Sequence, residues 1–319
     1  MKTDSRVSVV VPNYNGIAFV ETCLRSLTAD APKAEILLVD NGSVDGSREL
    51  VEERFLEVRV IALDQNYGFC RAVNEGLKAS SCPYVILLNN DTQVLPGFTK
   101  ELVKALEADN GIFSAAAKMI QMYQPEKIDD AGNFYSALGW AFARGKDKPV
   151  EYYEKPDEIF AGCGGAVAYR KSILEEIGYF DEAHFAYLED IDLGYRAKIA
   201  GYRNVYAPAA KVYHVGSGTS GSRYNAFKVS LSSRNSVYLA YKNMPALQLL
   251  LNLPFLITGF AVKYLFFLRQ GLGKTYAKGL WEGLRLCRKQ RKVKFYWKNL
   301  PHYGRIQIAL WVNIGKRFR

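Results

Sequence analysis

The first 120 residues alternate two kinds of apolar spacing. Residues 7–11 form a valine-rich run closed by Pro12, and 36–39, 58–62 and 84–88 are further short apolar runs. Between them, 17–27, 47–55 and 68–79 carry apolar residues three and four apart, the spacing of one helix face. Continuously apolar strands separated by amphipathic helices are what βαβ crossovers leave in a sequence, so this stretch predicts an α/β fold on a mostly parallel sheet. Residues 121–160, with Pro125, Pro149 and Pro156, break the rhythm and read as loops and short strands over the sheet. The order returns with helices over 171–177 and 188–200, strands over 204–207 and 211–214, and a Gly-rich loop over 216–221. Beyond Asn225 the spacing is helical to the end, and there is no internal repeat.

In open sheets of this kind ligands sit beyond the carboxyl ends of the strands, and polar residues gather there in this chain. Asn13 and Asn15 follow the first run, Asp40 and Asn41 close the second, and Asn89, Asn90 and Asp91 close the fourth. Asp40 at such an end can accept hydrogen bonds from a base or ribose, although Asp40 to Ser47 also reads as a simple βα turn with Ser47 as a helix cap. Asp91 can ligate a hard divalent cation that also holds a diphosphate; Asn-Asp pairs equally form turns. Glu189, Asp190 and Asp192 open a helix whose apolar face is Leu188, Ile191, Leu193 and Ala197. A helix dipole favours acids in its first turn, but three in four positions exceeds what a helix requires, and one at a cleft can take a proton from an acceptor hydroxyl. His214 ends a short apolar run beside the Gly-rich loop; a lone His is more often structural or at the surface, but one at a strand end beside such a loop is also a candidate metal ligand.

Taken together and in this order, these segments resemble the inverting family 2 glycosyltransferases of the GT-A fold, most of all their rhamnosyltransferase-like subgroup. The likeness covers residues 7 to about 220. Val9 to Gly16, with Pro12, Asn13, Tyr14 and Asn15, is similar to the opening strand and loop, and Val39 to Ser47 to the motif whose first Asp, here Asp40, contacts the nucleobase, with Asn41 beside it. Asn66, Gly68, Arg71 and Asn74 resemble the lining of the diphosphate pocket. Asn89-Asn90-Asp91 stands where the family carries a DxD-type metal motif, with Asp91 as its one acid and Asn89 and Asn90 at the donor. The resemblance implies Asp190 as general base with Asp192 second, Glu189 beside it, Gly164 and Gly165 on the acceptor side, and His214 as a metal ligand followed by a loop that closes on the donor. It further implies Mg2+ or Mn2+, a dTDP- or UDP-sugar donor, transfer of rhamnose or another hexose, and a glycan or polyprenyl-diphosphate-linked acceptor in cell-surface polysaccharide synthesis. The alternative is a nucleotide-sugar-binding or scaffolding homologue without turnover. No GxGxxG follows the first strand, which disfavours a dinucleotide-binding dehydrogenase.

Composition divides the chain. Its 319 residues, 49% hydrophobic, suffice for a large core, and five scattered cysteines without a CxxC pair predict a reducing, cytoplasmic compartment. Residues 1–6 do not have the pattern of a signal peptide. Of the net +10, residues 263–319 carry +14, from fifteen Lys or Arg against Glu282 alone. The predicted domains are therefore 1–225, a GT-A unit with a donor half (1–120) and an acceptor half (121–225), and 226–319, a helical basic extension. The uncharged stretch 243–262 is long enough to span a bilayer, but Pro245, Gln248, Asn252, Pro254 and Thr258 favour an interfacial helix. Aromatic residues interleaved with cations suit an anionic lipid surface at the inner face of the cell membrane. A nucleic-acid partner leaves the ordered carboxylates without a role; a homodimer contact would use the same apolar tail.

Overall fold

A computed structural model describes residues 5–216 and 224–317. The expected alternation is realised as β1 (Val7–Asn13), α1 (Val20–Asp30), β2 (Glu35–Asn41), α2 (Ser47–Arg54), β3 (Val58–Leu63), α3 (Phe69–Ala79) and β4 (Tyr84–Leu88). These four strands are parallel in the order β4-β1-β2-β3, with Val10 opposite Leu37 and Leu87. β1, β2 and β4 are buried on both faces, which is why their runs are apolar, whereas β3 at the sheet edge is half-exposed and carries Arg59. Val9, Leu38 and Ile86 pack with Leu24 and Leu27 of α1, whereas Val10, Leu37 and Leu87 pack with Val73 and Leu77 of α3.

The second half widens the sheet with β5 (Thr92–Val94), α4 (Phe98–Glu107), β6 (Ile112–Gln121), β7 (Gln124–Asp130), β8 (Asn133–Tyr135), β9 (Ala141–Ala143), β10 (Asp157–Ile159), β11 (Ala166–Arg170), α5 (Lys171–Ile177), α6 (Glu189–Ala200) and β12 (Arg203–His214). The full order is β10-β12-β6-β11-β4-β1-β2-β3. β11 runs antiparallel to both β4 and β6, while β12 runs parallel to β6. The two strands expected over 204–207 and 211–214 are one; it carries Pro208, which has no amide hydrogen to give, within a register shift between Ala207 and Lys211. β8 and β9 form a separate hairpin over the cleft.

Among the described residues four α-helices follow: α7 (Ala226–Asn243), α8 (Ala246–Arg269), α9 (Gly273–Lys289) and α10 (Leu300–Lys316). The apolar stretch expected to begin at 243 instead begins at Ala246, because Met244 and Pro245 separate α7 from α8 and Asn243 turns into the core. α8 has a mean hydropathy of 1.7 over its apolar window, of which 17% is buried. Leu247, Leu250, Ile257 and Leu265 are exposed along it.

Candidate active site

The carboxyl ends of β1, β2 and β4 meet at a cleft of about 1870 Å³. Its wall at these strand ends holds Pro12, Asn13, Tyr14, Asn41, Asn66, Gly68, Asn89, Asn90 and Asp91, nine of the thirteen residues expected at a donor. A relay of side-chain amides locks the strand ends together. Asn90 Nδ2 donates to Asn13 Oδ1 (2.7 Å), and Asn13 Nδ2 donates to Asp40 Oδ1 (2.9 Å). Asn41 Nδ2 donates to Asn66 Oδ1 (3.0 Å), which also accepts from the Gly68 amide (2.9 Å). Gly68 has φ +88°, and a Cβ there would lie 2.5 Å from the Phe185 ring, so no other residue fits this corner.

Four expected donor residues lie outside this lining. Asp40 is buried beneath it, its carboxylate taken by Asn13 and the Ser43 amide. Asn15 is used to accept from the Val44 amide (2.9 Å). Arg71 points to the outer face of α3, over the Tyr67 ring and toward Glu75. Asn74 is occupied: its amide donates to Phe180 O (2.9 Å) and Glu182 Oε1 (3.1 Å), and its oxygen accepts from the Phe180 amide (3.0 Å), which pins α3 to the segment before α6.

His214 and Asp91 do come together. Antiparallel pairing of β12 with β5 sets His214 opposite Thr92, one residue from Asp91. Nε2 of His214 is 3.2 Å from Asp91 Oδ1 but has no hydrogen-bond partner, and Nδ1 is 2.8 Å from Asp129 Oδ2. Burial alone would lower the imidazole pKa, but contacts with Asp129 and Asp91 outweigh it and raise it to about 9. With its pKa so raised the ring bridges the two acids as a cation, and among the described residues no group of three ligating side chains gathers here; a divalent cation shared by Asp91 and Nε2 requires the ring to give up its proton first. Lys146 pairs with the other oxygen of Asp129. The loop expected to follow His214 lies, from residue 217 to 223, outside the described residues.

Across the cleft, Glu189 and Asp190 open α6. The segment before them is strained: Phe185, Tyr187 and Leu188 all have φ between 63° and 71°. α7 holds it in place. Asn235 Nδ2 donates to the carbonyls of His184 (2.9 Å), Ala186 (2.9 Å) and Tyr187 (2.7 Å), and Arg234 Nη2 donates to Ala183 (3.0 Å) and His184 (2.7 Å). Asp190 accepts from Asn133 Nδ2 (3.0 Å), from the Ile191 amide (2.7 Å) and from the Gly164 backbone. Burial raises its pKa against these bonds, so its carboxylate is more basic than an exposed aspartate. Glu189 is raised further by burial and the neighbouring Asp190 charge, and its Oε2 has no partner. Gly164 and Gly165 line the cleft between these acids and Asn89, whose amide donates to Gly165 O (2.9 Å).

Asp192 is a correction. It faces away from the cleft, fully buried, with Arg196 Nε (2.9 Å), Lys242 Nζ (2.9 Å) and Asn243 Nδ2 (2.8 Å) around it. Burial opposes its ionisation, but Lys242 and Arg196 hold its carboxyl far below the usual range. A carboxylate so stabilised as an anion is a structural counterion and a poor base.

Sequence reading missed Asp129, Asp130, Asn133 and Lys146, all of which line the cleft. Burial raises Asp130 to about 7 against the Gly132 amide, with Asp129 and Asp190 adding to the rise. The signal was the adjacent pair of acids in 121–160, a segment without clear periodicity.

Residues 8–178 match the profile described as Glycosyl transferase family 2. N-acetylglucosaminyl-diphospho-decaprenol L-rhamnosyltransferase of Mycobacterium tuberculosis is 29% identical over 232 residues, covering 65% of this chain and 75% of that one. Among solved structures, GalNAc-T7 with UDP, GalNAc and Mn2+ superposes with a TM-score of 0.60 at 19% identity, over 74% of this chain and 47% of that one. S. aureus TarS 1-349 in complex with UDP-GlcNAc gives 0.59 at 16% identity, over 88% and 81%. These two likenesses bear on the fold, which is the expected GT-A arrangement with helices appended at its C-terminal end.

Proposed function

The chain belongs to glycosyltransferase family 2, and from that premise we propose that it moves a hexose, rhamnose first, from a dTDP- or UDP-sugar to a glycan carried on a polyprenyl diphosphate, with inversion. The observation that carries this reading is Asp190, a carboxylate of raised basicity held at the cleft opposite the donor-side wall. An acceptor hydroxyl attacks the anomeric carbon as the bond to the nucleoside diphosphate breaks, through an oxocarbenium-like transition state. Asp190 takes the hydroxyl proton late in that step, when bonding to the sugar has made it acidic, and the diphosphate leaves with the electron pair. Asn133 and the Gly164 backbone keep the receiving carboxylate turned into the cleft. Asp91 and His214 Nε2 would hold Mg2+ or Mn2+, which when bound supplies positive charge to the leaving diphosphate.

The lipid-linked acceptor draws support from the name of the mycobacterial relative and from the C-terminal helices. We assign residues 1–225 to the transferase unit and 226–319 to a membrane-associating region that lies on the inner, cytoplasmic face. The exposed apolar residues of α8 and a +14 charge over 263–319 are the features a peripheral helix uses on anionic lipid.

The test is transfer by the purified chain from a panel of dTDP- and UDP-sugars, with Mg2+ or Mn2+, to a short-chain polyprenyl diphosphate hexosamine. One donor giving a glycoside of inverted anomeric configuration by NMR supports the reading. A retained anomer, or no donor bound by folded protein, refutes it.

A further inference from the structure

The β8–β9 hairpin connects the candidate base to an unexplained group of cations. Asn133, at its start, holds Asp190, and the next residue, Phe134, has Lys316 Nζ 4.1 Å from its ring centre. Trp140 lies under Lys263 Nζ at 5.9 Å, and Phe142 under the Arg317 guanidinium at 5.9 Å. The hairpin is wedged between the helices that carry these cations. Trp140 Nε1 donates to Gly259 O of α8 (3.0 Å), the Ala137 amide donates to Leu310 O of α10 (3.0 Å), and Asn313 Nδ2 donates to Tyr135 O (2.9 Å). All three cations line the cleft, and among the described residues none has an acidic partner.

We propose that Lys263, Lys316 and Arg317 form a diphosphate site that grips the anionic linkage of a lipid-borne acceptor beside Asp190. This rests on the acceptor reading above. Burial and repulsion by the Arg317 charge bring the Lys263 ammonium down to about 8, so Lys263 gains from an anion placed between the two. A diphosphate dianion relieves that repulsion and accepts charge-assisted hydrogen bonds from all three side chains. The placement suits an acceptor whose reacting sugar is attached directly to the diphosphate, because the ring under Lys316 belongs to the residue next to the one whose amide holds Asp190, and all four side chains line the same cleft. The exposed apolar face of α8 then receives the prenyl chain on the lipid side.

The experiment compares two soluble acceptors bearing the same sugar, a farnesyl diphosphate-linked hexosamine and its octyl glycoside. For the Lys263→Met, Arg317→Gln double variant, KM for the diphosphate acceptor rises at least ~tenfold more than KM for the glycoside. Lys263→Arg retains most of the preference, and calorimetric donor binding reports that each variant is folded. Equal losses on both acceptors, or no loss on either, overturn the site. So does inorganic diphosphate that competes with the donor and not with the acceptor. If the unaltered chain shows no preference for the diphosphate acceptor, the acceptor reading itself fails, whatever the variants do.

Discussion

Asn133 Nδ2 donates to Asp190 Oδ2 at 3.0 Å across fifty-seven residues of sequence, and this bond ties the hairpin over the cleft to the first turn of α6. In the proposed reaction Asp190 works as the anion, so kcat/KM should rise as pH rises through its raised pKa and be lost below it. The Asn133 bond favours the anion. Asn133→Ala therefore moves the acid limb of the pH profile to higher pH and lowers kcat/KM about 10–100-fold on that limb, the loss of a bond worth ~1.5–3 kcal/mol to a charged group. An unshifted limb would give Asn133 a structural role only.

Asp192 anchors α6 to α7 through Lys242 and Asn243. Asp192→Asn leaves the buried Arg196 without a carboxylate, while Lys242 keeps Asp181 (2.6 Å), and costs ~3 kcal/mol of stability in denaturant melts at neutral pH. Its folded pKa is depressed, so this contribution is present above the ordinary aspartate value and is lost as pH falls through the folded one. The two proteins therefore converge in strong acid and differ at neutral pH.

Asp129 fixes the ring orientation that turns His214 Nε2 toward Asp91. Asp129→Asn should weaken Mn2+ binding in the presence of nucleoside diphosphate by about 10–100-fold by calorimetry, and His214→Ala by more. Chelation with EDTA should stop turnover and Mn2+ restore it. Undiminished Mn2+ affinity in His214→Ala would move the cation elsewhere.

On phosphatidylglycerol vesicles the chain should float at low salt and bind less as salt rises. Leu250 and Ile257 are 67% and 61% exposed, two turns apart on α8. Replacing both with Glu should cut vesicle affinity by about tenfold or more per residue, given ~1.5–3 kcal/mol for each apolar side chain buried in lipid. Flotation that these changes leave intact would assign the apolar face to another contact.

The parallel half of the sheet was legible because β1, β2 and β4 are buried on both faces and the polar residues follow their ends directly. Asp91, Asp190 and His214, each closing or opening a periodic run, were singled out in this way, and all three line the cleft. Asp129 and Asn133 were not, since short irregular strands leave no period, and their importance arises only when the hairpin folds back over α6. Asp192 misled for a related reason: periodicity placed it two residues from Asp190, but only the packing of α7 reveals that Lys242 and Asn243 claim it. The strained turn over 185–188 and its clamp by Asn235 are likewise long-range facts, absent from any local pattern.

The central claim is that Asp190 accepts the acceptor proton. The most direct measurement is single-turnover sugar transfer by Asp190→Asn beside calorimetric donor binding by the same protein. The account predicts a rate lowered by about 10²–10⁴-fold with donor affinity within about twofold of the unaltered chain. Transfer at the original rate, or donor binding lost in step with transfer, would contradict it.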